Sequence, residues 1–120
     1  MIDDELARER RKQKRLESLG SNEPRCGICG EGDWRTLELH HVAGRRHDNG
    51  VTPLCRNCHR KVSDDQNDHP AFEPDADPML ASIGHFLLGL ADMLRIIVAK
   101  LTAFGLELIA RSNQGEGEAA

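Results

Sequence analysis

Two cysteine pairs, Cys26-Gly-Ile-Cys29 and Cys55-Arg-Asn-Cys58, constrain this chain more than any other feature. Each pair places two thiols on one tight turn, the arrangement a tetrahedral Zn²⁺ ion needs, and two such knuckles sharing one ion would close the segment between them. Gly27 and Gly30 suit such a turn. The alternatives are two disulfides or unrelated reduced thiols. The chain opens MIDDELARERRKQ, charged from its third residue with no apolar run behind it, so the reading is a cytoplasmic protein without a secretory signal. Thiols stay reduced there and bind metal more readily than they pair. With four sulfurs filling four positions, the zinc is expected to be structural.

A staple of this kind is needed. The 120 residues are only 38% hydrophobic, with one Trp, three Phe and no Tyr, which argues against a single large core. Net charge is −4, so bulk attraction to nucleic acid is not expected, but the average conceals segregation. Arg45, Arg46, Arg56, Arg60 and Lys61 face only Asp48 between residues 42 and 62. The acids Asp64, Asp65, Asp68, Glu73, Asp75 and Asp77 follow without a base between 63 and 78. A local basic face therefore exists within an acidic chain.

Patterning divides the chain into five parts. A charged N-terminal helix is predicted over 3–19 within a segment 1–20, capped by Asp3 or Asp4 and stopped at Gly20. It reads as a solvated helix at the periphery. In the zinc domain, 21–66, strands are predicted from Trp34 to Val42 and from Val51 to Leu54, with a helix from Cys58 to about Gln66. Residues 67–78 form an acidic linker punctuated by Pro70, Pro74 and Pro78. A long amphipathic helix follows over 79–112, with apolar residues at 80, 83, 87, 90, 94, 97, 101, 104 and 108 in alternating steps of three and four, a heptad seam. Residues 113–120 are rich in Gly and Glu and read as a disordered tail. Asp92, Arg95 and Lys100 would put charge at mid-bilayer, so the helix is read as self-associating or docking on the zinc domain rather than entering a membrane.

The chemistry is expected from the histidines. His40 and His41 are neighbours on the first strand and should point to different sides of it, while His59 directly follows the second knuckle. Zinc would clamp that helix against the hairpin and bring His59 toward His40. His40 and His59 could then hold a divalent ion with positions open to water and phosphate, leaving His41 to accept a proton. No other nucleophile is at hand, so water is the attacking group. His69 and His85 read as ordinary surface histidines, and histidines beside cysteines can also serve as alternative zinc ligands.

Cys26-x-x-Cys29, Leu37-Glu-Leu-His-His-Val42 and Pro53-Leu-Cys55-x-x-Cys58-His59-Arg-Lys together resemble the HNH endonuclease family, in its form with four zinc-binding cysteines. The resemblance covers residues 26 to about 63. It implies an α+β chain built on a small zinc-stapled ββα-metal domain, with His41 as general base and His40 and His59 as ligands of a catalytic Mg²⁺ or another divalent ion. The substrate would be DNA, cut to leave a 5′ phosphate. An Asn that orients the base commonly lies five residues before the third cysteine; Gly50 stands there, and Asn49, one residue away, is the preferred substitute, with His47 the other choice. Arg45, Arg46, Arg56, Arg60 and Lys61 would meet phosphates. Two rival readings remain: a zinc-binding module that grips nucleic acid or protein without cutting, and an adaptor whose purpose is homo-oligomerisation through residues 79–112.

Overall fold

In the computed structural model residues 2–119 are described, with side chains placed as far as residue 114. The chain is a small mixed α+β structure, a two-stranded sheet and three helices in the order α1 (Ile2–Leu19), β1 (Leu37–His41), β2 (Val51–Cys55), α2 (Arg56–Gln66) and α3 (Pro78–Ala119).

Helix α1 carries Asp3, Asp4 and Glu5 in its first turn, where they complement the helix dipole. It ends where Gly20 takes φ 77, with Ser21 N–H donating to Leu16 and Gly20 N–H to Glu17, the paired bonds of a Schellman stop. The helix is less peripheral than its charge suggests. Leu16 and Leu19 are buried, and the Arg15 guanidinium donates to the Leu37 carbonyl at the start of β1.

The strands pair antiparallel, Leu37 opposite Cys55 and His41 opposite Val51. β1 is shorter than the predicted Trp34–Val42 because Asp33 builds a turn first. Its carboxylate accepts from the Arg35 N–H and its carbonyl from the Thr36 N–H and hydroxyl. Pro53 sits in β2 with no N–H of its own, and its carbonyl accepts from Gly27 at 2.9 Å, which fastens the first knuckle to the hairpin. Helix α2 begins at Arg56, two residues before the expected Cys58, because Cys55 serves as its N-cap with Sγ accepting from Cys58 N–H.

Helix α3 starts at Pro78, a residue suited to the first helical position, with Asp77 Oδ1 accepting from Leu80 N–H. It continues past the expected end at 112 to Ala119, without a glycine stop at 115 or 117. The disordered tail expected over 113–120 thus starts on helical backbone; the side chains of 115–119 and all of residue 120 lie outside the described residues. Among the described residues no helix is long and apolar enough to cross a membrane.

The core gathers Leu19, Leu37, Val42, Leu54, Val62 and Met93 around the sulfurs of Cys26, Cys55 and Cys58. Met93 belongs to α3, so the long helix seals the small domain as well as leaving it. Gly89 makes this approach possible, since a Cβ there would stand 1.7 Å from the Val42 carbonyl oxygen. Polar contacts hold the same junction. His69, in the acidic linker, lies 2.6 Å from Asp92, and His47 stacks on His85 with ring centroids 3.5 Å apart.

Candidate functional site

The four cysteines converge from the first knuckle, the end of β2 and the first turn of α2. Their sulfurs all lie within 4.8 Å of one another, and Cys29 and Cys55 are 3.6 Å apart. Zinc bonds of about 2.3 Å imply a tetrahedron with edges of about 3.8 Å, so the set fits such an ion. All four thiols are free rather than disulfide-bonded. Backbone N–H groups of Ile28 and Cys29 point at Cys26 Sγ, and that of Cys58 at Cys55 Sγ. Burial alone would raise the Cys26 thiol, but these donors outweigh it and bring Cys26 down to about 7. Burial pushes Cys58 up, reinforced by Cys55 and Cys26, and Cys29 is raised mainly by burial as well. Several thiols crowded together cannot all ionise unaided, which is the electrostatic condition a divalent cation relieves. The cluster can hold a metal such as zinc.

The histidines form a second group beside the cysteines, His59 directly following Cys58. His40 is buried, 2% exposed, and its ring meets His59 edge-on with centroids 5.2 Å apart. The knuckle is what achieves this: Cys58 anchors the first turn of α2, so the next residue, His59, is held over the strand that carries His40. Burial draws the His40 imidazole down to about 4, helped by the neighbouring rings of His59 and His41. It is therefore neutral at ordinary pH with a lone pair to offer.

Two further side chains shape the pair, and sequence reasoning passed over both. Glu38 lies on the same face of β1 as His40, two residues earlier, and its Oε1 is 3.1 Å from His59 Nδ1. A carboxylate at Nδ1 favours the tautomer with Nε2 unprotonated, the arrangement of metal-binding histidines generally. Its alternation with His40 was the available signal. Gln66, at the end of α2, donates through its amide to the carbonyls of His41 at 2.9 Å and Val42 at 3.2 Å. Its approach to His40 Nε2 is longer, 3.5 Å, so that nitrogen has only a weak partner. Gln66 pins the end of β1 instead.

His41 is half-buried at the last position of β1, where the chain turns away. Asn49 is exposed, and among the described residues no hydrogen bond joins it to His41. His47 faces α3: besides its stack on His85, its carbonyl accepts from the Ser82 hydroxyl. His69 and His85, read as surface histidines, belong to this junction, with His69 paired to a carboxylate, Asp92, that is itself 2% exposed. Nothing local announced that pairing, because its partners come from different elements.

Of the basic residues, Arg45 and Arg46 are exposed at the β1–β2 turn, and the Arg46 guanidinium lies 4.4 Å over the Phe72 ring. Arg60 and Lys61 line an open cleft of about 810 Å³ along the outer face of α2, and Arg56 is exposed at its start. The five cations thus occupy two surfaces, the hairpin turn and α2. No protein-family model, no curated protein and no solved structure matches this chain.

Proposed function

We propose that the chain is a metal-dependent endonuclease of the HNH type that hydrolyses DNA phosphodiester bonds. The observation that carries the reading is the His40–His59 pair. Two imidazoles distant in sequence meet across strand and helix, one kept neutral by burial with only the long Gln66 contact at its Nε2, the other held at Nδ1 by Glu38. In this reading His40 and His59 would hold a divalent cation such as Mg²⁺, which when bound would supply charge stabilisation for the phosphate and the departing 3′ oxygen. His41 takes the proton of the water that attacks phosphorus. Asn49, or His47 in its place, would orient that base once DNA is bound. Arg45, Arg46, Arg56, Arg60 and Lys61 grip phosphates on either side, which positions the duplex without reading its sequence. Zinc held by the four cysteines would take no part in the chemistry and would hold the two histidine-bearing elements together.

A second reading draws on the depth of His40. A histidine 2% exposed can also be a satisfied core residue, and the chain would then be a zinc-stapled binding module for nucleic acid. One experiment separates the two. Zinc-loaded protein incubated with supercoiled plasmid and Mg²⁺, Mn²⁺ or Ni²⁺ should nick it, and His41→Ala should lower the rate by about 10²-fold or more with zinc content and fold retained. Plasmid left intact under all three metals, but retarded on a gel by the protein, favours the binding module.

A further inference from the structure

Helix α3 has two working faces, and the small domain uses only one. Ser82, His85, Gly89, Asp92 and Met93 meet the domain through contacts with His47, Val42, His69 and the core. At 100° per residue these positions centre roughly 125° around the helix from the seam that runs from Leu80 to Leu108. Docking of the domain therefore leaves most of the seam bare, Leu90 being the seam residue that packs against the core. Seven of its nine side chains are between 50% and 69% exposed, and only Leu90 and Ile97 are half-buried. That is a continuous apolar stripe on a helix about 63 Å long.

We propose that this seam is covered by further copies of the same chain, α3 packing against α3 in a bundle of three or four. If each exposed seam side chain removes on the order of 100 Å² from water, a single pair of helices buries roughly 1,400 Å², already within the range of stable interfaces. The order of assembly follows from the residue types. Leucine fills each of the first heptad positions, 80, 87, 94, 101 and 108, and the fourth positions are Ile83, Leu90, Ile97 and Phe104. Leucine at the first position with isoleucine at the fourth favours three or four parallel strands over two. Val98 and Met79, flanking the seam and exposed, widen it in the same sense. An anionic membrane surface is the weaker occupant, because such helices carry a Lys- and Arg-rich polar face, whereas Arg95 here is tied to Asp92 at 3.0 Å.

The test is the mass of the zinc-loaded full chain at tens of micromolar by light scattering or sedimentation equilibrium. Three or four times 13.4 kDa supports the proposal. A monomer overturns it, whether or not that monomer binds phosphatidylserine vesicles, and a dimer overturns the order assigned. Leu94→Glu with Leu101→Glu should reduce the mass to 13.4 kDa with zinc per chain unchanged, since neither side chain supports the domain. Leu106→Glu, equally exposed but off the seam, should leave the assembly intact; if it dissociates the protein as fully, the seam is not the interface. None of these readouts involves DNA cleavage, so the proposal stands or falls apart from the nuclease reading.

Discussion

The hairpin domain and the outer half of α3 solve opposite problems. The domain is poor in apolar residues yet buries most of them, with three cysteine sulfurs serving as part of its core and among its described residues no buried side-chain nitrogen or oxygen lacking a partner. From Leu101 onward α3 carries Leu101, Phe104, Leu106, Leu108 and Ile109 yet buries none of them within one chain. The contrast teaches that hydrophobic content does not decide where a chain folds tightly. A short segment folds on itself when a strong local link closes it, and a long apolar helix stays open until a partner of matching shape is present.

That comparison can be broken most directly at the staple. Cys55→Ser removes a sulfur ligand while leaving a hydroxyl able to cap α2, and structural zinc contributes about 10–16 kcal/mol to such domains, so the hairpin domain should unfold while α3 stays helical. Amide exchange would report the two halves separately. Protected amides in β1 and β2 of the mutant would show that packing rather than metal holds the domain.

The joint between the regions is the next place to press. Gly89→Ala drives a methyl group into the Val42 carbonyl, which no side-chain adjustment relieves, and should cost about 3 kcal/mol by pushing α3 off the domain. Thermal unfolding of the zinc-loaded protein measures this. A change of a few tenths of a kcal/mol would mean that the helix does not lie where the contact places it.

The smallest effect concerns His40. Its folded value of about 4 lies below the ordinary 6.5, so between these two pH values the unfolded chain binds a proton that the folded chain does not. Stability from the neutral ring is therefore complete above 6.5 and diminishes as pH falls toward about 4. Titration of the ring by NMR, without added second cation, should give a midpoint near 4; a midpoint near 6.5 would mean that the ring is solvated and the pair open.

How much of this could be read in advance differs from residue to residue. The cysteine turns announced themselves, because both members of each pair lie within one turn. The approach of His59 to His40 followed, since the second knuckle fixes the residue after it. Glu38 was legible in part, sharing a strand face with His40, but its bond to His59 spans 21 residues and depends on the rotation of α2. The pairs of His69 with Asp92 and of His47 with His85 were not legible. Both join a loop to a helix whose position is set by packing at Gly89 and Met93, residues far along the chain from either loop.

Features written within a few neighbouring residues were thus settled by the order of amino acids alone: the sulfur staple, the hairpin and helices, and the leucine seam on α3. Whether an imidazole is deep or wet, which carboxylate steadies it, and which side of α3 meets the domain came only from the folded chain. Those properties turn on ångström-scale placement of groups from separate elements, and hydrophobic spacing along a helix says that a face is apolar without saying what it will touch.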